Sequence, residues 1–130
     1  MAPLFRDVSP SELAVLQTLW ERGESRIGEL AHQLYPGGGA AHYSTVQRLL
    51  DRLEEKGFVA RDRSGRAHVF RASVQRPDFL SRRLRELSER LCAGSHLPLL
   101  SQLVRSKALS AGERAELRRL LDETEGEVAP

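Results

Sequence analysis

Apolar and polar residues alternate along this chain with the period of amphipathic helices, and the pattern is clear between Tyr43 and Lys56. The apolar positions there follow the i, i+3, i+4, i+7 spacing of a single helix face. They are Val46, Leu49, Leu50 and Leu53. Gly57 tolerates the left-handed backbone that ends many helices, so the helix is predicted to stop there.

A basic two-stranded hairpin is predicted directly after this helix. Its strands are residues 58–63 and 66–72, with Ser64 and Gly65 at the turn. On its own, an arginine-rich hairpin is equally well explained as a solvated edge that discourages aggregation. Its place after an amphipathic helix indicates a winged helix-turn-helix, in which the helix and the hairpin, or wing, contact DNA together.

Two further helices are predicted upstream. Ser9 caps the first, with Pro10 at the first helical position and Glu12 completing a capping box. Ser25 is expected to begin the second. The glycines at 37–39 lack the lysine and the preceding strand of a phosphate-binding loop, so a flexible turn is the simpler interpretation. The apolar stripes of the two helices are Leu13, Leu16, Leu19, Trp20 and Ile27, Leu30, Ala31, Leu34.

Three leucine-rich helices are predicted after the hairpin. The first begins near Arg76 and Pro77, the second at Ser95, and the third at a capping box formed by Ser110 and Glu113. Their leucines repeat at helix-packing intervals, and this much apolar surface predicts a dimerisation region. A fold back onto the winged domain is the alternative. The interface candidates are Leu80, Leu84, Leu87, Leu91, Leu100, Leu103, Leu117, Leu120 and Leu121.

The predicted fold is mainly α with a small β-hairpin: a winged helix-turn-helix DNA-binding domain at residues 1–76 and a three-helix dimerisation region at 77–130. Charge is distributed unevenly between them. Residues 42–76 carry eight basic and four acidic side chains, against three and five in 1–41 and nine and nine in 77–130. Net positive charge confined to the helix and hairpin favours a localised contact with nucleic acid.

Composition excludes several classes of protein. The chain has 130 residues, 40% hydrophobic and 29% charged, which is a globular balance. No apolar run approaches the roughly 20 residues of a bilayer span, and the first residues lack a signal peptide's apolar core, so a cytoplasmic protein is expected. One cysteine, Cys92, and four scattered histidines form no disulfide or metal-ligand pattern, so no metal and no cofactor are expected.

Side chains suited to DNA lie on the exposed faces of the predicted helix and wing. Guanidinium and amide groups can bond base edges, and groups at a helix start can bond phosphates. Gln47 and Arg48 are expected to read bases, whereas Arg52 can reach bases or phosphates. The phosphate candidates are Tyr43, Ser44 and Thr45 on the helix, Arg63 and Arg66 on the wing, and His68 if it lies on the wing's outer face.

Over nearly its whole length the chain resembles the penicillinase-repressor family, typified by BlaI, MecI and CopY. Each matching segment is short, but their order and spacing together are specific. The segments are residues 8–12, 19–20, 43–46, 49–50, 52–57, 65–68, 109–110 and 116–121. The resemblance implies a dimeric transcriptional repressor that binds dyad operators, with β-lactamase, cell-wall or copper-homeostasis genes as its targets.

The resemblance also implies how the repressor would be released. The β-lactam branch of the family is inactivated when a membrane-bound sensor protease triggers cleavage in the C-terminal helices. Gln102 and Leu103 stand here where that branch has its Asn-Phe cleavage site. The copper branch carries a C-terminal cysteine cluster that this sequence lacks. Arg48 replaces a threonine usual in the family, which predicts altered base or phosphate contacts.

Two other classes of function stay open at this point. A winged-helix adaptor module for protein interaction would show no operator preference, and the basic middle segment argues against it. An enzyme is the other class. No nucleophile–base pair is recognisable, and the histidines fall on different predicted elements. These are His32, His42, His68 and His96.

Overall fold

A computed structural model describes residues 8–127 of the chain, which form six α-helices and three short strands. In order they are α1 (Pro10–Arg22), β1 (Ser25–Arg26), α2 (Ile27–Leu34), α3 (Tyr43–Glu55), β2 (Val59–Asp62), β3 (Val69–Ala72), α4 (Arg76–Leu91), α5 (Leu97–Arg105) and α6 (Ala111–Glu123). The predicted fold class is confirmed. None of the helices within residues 8–127 has the length and hydrophobicity that a bilayer crossing requires. Residues 1–7, on which the expectation about a signal peptide rests, lie outside the described range.

The boundaries of α1 and α3 follow from the local signals in the sequence. The Ser9 hydroxyl accepts a hydrogen bond from the Glu12 amide at 3.1 Å, which satisfies a backbone donor at the start of α1. Gly23 and Gly57 follow α1 and α3 with φ angles of 86° and 87°, a backbone conformation that glycine adopts without strain. The predicted beginning of α1 and the predicted end of α3 are therefore confirmed.

The second helix begins two residues later than predicted. Ser25 and Arg26 form β1, which pairs antiparallel with β3 so that Ser25 lies opposite Phe70. The Ser25 hydroxyl is directed back to the Gly23 carbonyl oxygen at 3.0 Å, so it does not cap α2. Instead the carboxylate of Glu29 accepts from the Arg26 amide at 2.9 Å. The prediction of Ser25 as the first residue was wrong because a strand pairing distant in sequence uses this backbone.

The wing is also shorter in its strands and longer in its loop than predicted. β2 and β3 pair from Val59 opposite Ala72 to Asp62 opposite Val69, so residues 63–68 form the loop instead of a two-residue turn. The Asp62 carboxylate accepts from the Ser64 amide at 2.9 Å, a local bond that turns the chain away from the strand. The sheet order is β1-β3-β2, which places the strand before α2 beside the wing.

The buried apolar side chains form one cluster around α3 and Phe70. The stripe predicted on α3 is fully confirmed as core. Trp20 anchors the edge of this cluster, because its indole N–H donates to the Val74 carbonyl at 2.8 Å and its ring meets Phe79 edge-on at 5.4 Å. The buried apolar residues are Val15, Leu16, Leu19, Ile27, Leu30, Ala31, Val46, Leu49, Leu50, Leu53, Phe58, Val59, Phe70, Val74 and Phe79.

The chain divides into two compact units, Met1–Arg83 and Leu84–Pro130, with the division inside α4. In the second unit the capping box at α6 is confirmed, since Ser110 and Glu113 exchange side-chain and backbone hydrogen bonds at 3.1 and 3.0 Å. The predicted start of α5 at Ser95 was wrong. The Ser95 amide donates to the Cys92 carbonyl in the turn that ends α4, and His96 occupies the cap position of α5.

Candidate nucleic-acid interface

The buried stripe of α3 determines which of its side chains can meet a ligand. Because the apolar positions face the core, the polar positions between them face solvent. All six predicted contact residues on this helix are exposed. They are Tyr43, Ser44, Thr45, Gln47, Arg48 and Arg52. The helix therefore presents hydroxyl, amide and guanidinium groups on one accessible surface, the set suited to phosphates and base edges.

Several of the cations near this surface have no internal counter-ion. Within residues 8–127, Arg48, Arg52 and Arg66 form no ion pair with a carboxylate. Arg63 is exposed, and its contact with Glu54 is long, at 3.9 Å. Solvent screens such a contact, so it contributes little energy. These guanidinium groups can therefore bind phosphates without first breaking a strong internal ion pair.

An open groove of about 630 Å³ lies between the start of α2, the start of α3 and the wing loop. It brings Tyr43 and Gln47 of α3 together with Arg66 and His68 of the wing, four of the residues predicted as contacts. The lining residues are Arg26, Ile27, Gly28, Glu29, Tyr43, Gln47, Arg66, Ala67 and His68. The other predicted contacts, Ser44, Thr45, Arg48, Arg52 and Arg63, do not line this groove.

Arg26 is a candidate that the sequence did not reveal. It is exposed and lies opposite Val69 in the β1–β3 pairing, which brings the start of α2 beside the wing. The sequence predicts this residue inside a second helix, away from the hairpin. Arg26 lies instead in the two-residue strand β1. No local pattern signals this strand, because its partner strand is more than 40 residues further along the chain.

Arg61 has a different environment from the other wing arginines. Its terminal guanidinium nitrogen Nη2 lies 2.5 Å from the Asp51 carboxylate and 3.1 Å from the Glu54 carboxylate on α3, and the guanidinium carbon lies 4.7 Å from the centroid of the Phe70 ring. Only 10% of its side chain is exposed. Arg61 therefore differs from the exposed arginines of the wing, because its charge is already neutralised inside the protein.

His68 is half-buried at the edge of the groove. Its Nδ1 lies 3.5 Å from a terminal nitrogen of Arg61. His68 thus lies beside the Arg61 guanidinium and is one of the wing residues that line the groove.

The start of α3 is held by aromatic packing. The rings of Tyr35 and His42 stack with centroids 3.9 Å apart and an interplanar angle of 15°. His42 ends a single 3₁₀ turn, 39–42, that leads directly into Tyr43. This histidine thus has a packing role at the entry to the helix, and the stack orients the residues that begin the exposed face.

Comparison with known proteins decides the family. A sequence profile of the Penicillinase repressor family matches residues 8–123. The chain belongs to the penicillinase-repressor family. Its sequence is 30% identical to the BlaI transcriptional regulator of Mycobacterium tuberculosis over 126 residues, covering 96% of this chain and 89% of that protein. It is 23% identical to the penicillinase repressor of Bacillus licheniformis over 116 residues, covering 89% and 90%.

The family gives a plain statement of function. Penicillinase repressors are transcriptional regulators and not enzymes, so the interpretation of this chain as a DNA-binding winged-helix repressor is confirmed at that level. Among solved structures, a MarR family protein from Bacillus stearothermophilus has a TM-score of 0.49 and 25% identity, covering 94% of this chain and 76% of that one.

Proposed function

We propose that this penicillinase-repressor family member binds a dyad operator as a symmetric homodimer and represses β-lactamase or cell-wall genes from the cytoplasm. The observation that carries the DNA-binding part is the groove between α3 and the wing, where Arg26, Tyr43, Gln47 and Arg66 surround one open space. Positively charged and neutral donors on three elements match a phosphate backbone that passes between a helix in the major groove and a wing beside it.

The roles of the contact residues follow from where they lie. Gln47 and Arg48 occupy the exposed face of α3 and would read base edges, because amide and guanidinium groups form paired bonds with adenine and guanine. Tyr43, Ser44 and Thr45 would bond phosphates near the start of α3, with Arg52 in reach of bases or phosphates. On the other side of the groove Arg66, His68 and Arg63 would hold the neighbouring backbone, together with Arg26.

The leucine surface of the last three helices supports the homodimer. Eight of the nine predicted interface leucines are 42–72% exposed, and Leu117 is half-buried. Leucine surface of this extent is costly in water, and a second copy of the chain offers the same apolar surface to cover it. A two-fold dimer would also place the two copies of α3 on two half-sites. We therefore assign DNA binding to residues 1–76 and dimerisation to 77–130.

Derepression would require a partner that weakens the dimer, such as a sensor protease or another inactivating protein. Gln102 and Leu103, which stand at the family's cleavage position, are exposed within α5. Proteases bind extended backbone, so cleavage at this position would first require local opening of the helix. Among residues 8–127 no cluster of histidine, cysteine or acidic side chains is arranged to bind a metal.

A mobility-shift experiment across a salt series tests this proposal. The probe is a duplex that the wild-type protein selects from random DNA, and unrelated duplex is the competitor. Binding should fall steeply with salt, and Arg66→Ala and Arg26→Ala should each lower the slope of log K against log salt by about one phosphate contact. Arg48→Ala should relax base preference at one position of each half-site.

The matched control is Arg105→Ala, which removes one exposed positive charge from α5. It should leave the salt slope and the selected sequence unchanged. A wild-type protein that binds selected and unrelated duplexes equally would contradict the proposal and favour the adaptor module.

A further inference from the structure

A cluster of charged side chains centred on Arg61 joins the wing to α3. Arg61 on β2 reaches Asp51 and Glu54, which lie one turn apart on α3, at 2.5 and 3.1 Å. Its guanidinium also stacks over Phe70 on β3, the residue opposite it in the hairpin. One side chain thus links α3 to both strands of the wing.

The chemistry of this cluster fixes a geometry. One terminal nitrogen of the rigid, planar guanidinium lies near both carboxylates while the plane of the group lies over the Phe70 ring, so these contacts define its orientation as well as its distance from α3. Its Nε is buried and, within residues 8–127, has no hydrogen-bond partner. A buried charge with an unsatisfied donor is a poor way to gain stability, since apolar residues of similar volume often serve as well. The cluster is better explained by the position it enforces.

That position lies between the two parts of the DNA-binding surface. Asp51 and Glu54 are in the second half of α3, whereas the base-reading candidates Gln47 and Arg48 are in the first half. On the wing, Arg61 comes two residues before the loop at 63–68 begins, and Phe70 comes two residues after it ends. Arg61 therefore lies where a change in the cluster can alter the position of the loop relative to the exposed face of α3.

We infer that Arg61 is a positioning residue, which sets the distance between the wing loop and α3 without touching DNA. The inference rests on the proposed DNA-binding function. Specific binding requires α3 and the wing to engage bases and phosphates in one register, whereas non-specific binding needs only positive charge near phosphates. Loosening the cluster should therefore weaken binding to the selected sequence more than binding to unrelated DNA.

Neutralising the two carboxylates gives a test in which a role as charges and a role in holding Arg61 predict opposite changes in affinity for the selected duplex. Asp51→Asn with Glu54→Gln removes two negative charges from the DNA-facing helix. If the carboxylates act only as charges, the variant binds every duplex more tightly. If they hold Arg61 in place, affinity for the selected duplex falls while that for unrelated duplex stays equal or rises, so the specificity ratio drops about tenfold or more.

The matched control repeats this chemistry elsewhere on the chain. Arg119 on α6 pairs with both Glu116 and Glu123, and all three are about half-exposed. Glu116→Gln with Glu123→Gln therefore makes the same change in net charge and also releases one arginine from two carboxylates. Its specificity ratio should match that of the wild type. A ratio that falls equally in both variants would overturn the inference.

Arg61→Lys separates positioning from direct contact and covers the case in which the double variant does not fold. Lysine keeps the charge but replaces the rigid planar guanidinium, which also lies over the Phe70 ring, with a compact ammonium on a flexible stem. Positioning predicts a lower specificity ratio with an unchanged salt slope, while a phosphate contact predicts an unchanged ratio. Tighter binding of the selected duplex by the double variant, or an unchanged ratio in Arg61→Lys, would overturn the inference. A wild-type protein that selects no sequence would overturn the proposed function as well.

Discussion

The two units of this protein use the same kind of helix in different ways. In Met1–Arg83 the apolar stripes of α1, α2 and α3 are covered by one another and by the sheet. Among residues 84–127 the only buried residue is Ser88, although the helices there carry as regular a leucine pattern. A periodic pattern therefore establishes that a helix has an apolar face, and leaves open whether the same chain covers it.

The difference has consequences for stability. The first unit contains its own core, so its free energy of unfolding should not depend on protein concentration. In the second unit α5 and α6 border an open apolar cleft of about 160 Å³, lined by Val104, Leu109, Leu117 and Leu121 with two arginine side chains. If a second copy covers the exposed leucines, the stability of this unit rises with concentration by mass action.

The largest effect is expected when the leucine surface itself is charged. Leu84→Glu places a carboxylate among the exposed leucines of α4 and should convert the proposed dimer into single chains. Binding to an operator with two half-sites should then weaken by about 100-fold or more, because two linked DNA-binding domains bind far more tightly than one. Sedimentation equilibrium gives the mass, and mobility shift gives the affinity.

Arg85→Gln is the control for this change. It alters net charge by the same amount one residue further along α4, about 100° around the helix from the seam. This variant should remain a dimer and keep its operator affinity. If Leu84→Glu also remained a dimer, the contrast between the two units would need another explanation for the exposed leucines.

A pair of leucine truncations compares the two units directly. In the monomeric Leu84→Glu background, Leu50→Ala should destabilise the first unit by about 2–5 kcal/mol, because Leu50 is fully buried and its loss leaves a cavity. Leu121→Ala should cost less than about 1 kcal/mol there, since Leu121 is 64% exposed. Urea unfolding measures both changes. Equal losses would mean that the second unit is packed as tightly as the first.

Features that depend on neighbouring residues were predictable from the sequence. Ser9, Gly57 and Ser110 marked helix ends correctly because caps and left-handed glycines act within one turn of the chain. The exposed face of α3 was also predictable, since a buried stripe fixes the opposite side of a helix. The wing was expected in the right place, although its loop is longer than the two residues predicted.

Features set by distant residues were not predictable. Ser25 was assigned to a helix because its strand partner, Phe70, lies 45 positions away. Arg61 and Arg66 look alike in the sequence, yet one is buried between carboxylates and the other is exposed beside the groove. Sequence periodicity identifies basic residues on a hairpin, but only tertiary packing determines which of them are available to DNA.

A smaller effect than that of Leu50→Ala is expected from the ion pair that links α1 to the end of α3 in the first unit. Glu12 on α1 is 3% exposed, and its carboxylate lies 2.7 Å from the Lys56 ammonium after α3. Burial alone would raise the pKa of Glu12, but hydrogen bonds from Lys56 and Ser9 with the Lys56 charge outweigh it, so the pKa lies below its ordinary value of 4.5. The folded state therefore binds this proton more weakly than the unfolded state, and the pair stabilises the fold above pH 4.5 and ceases to do so as pH falls through the lowered pKa.

Glu12→Gln should destabilise by about 1–3 kcal/mol at neutral pH and by less in acid, as urea unfolding at the two pH values would measure. Glu55→Gln, which alters an exposed carboxylate on α3, is the control and should change the free energy of unfolding little at either pH. If Glu12→Gln lowered the free energy of unfolding by the same amount in acid, the shape of Glu12 and not its charge would explain its role.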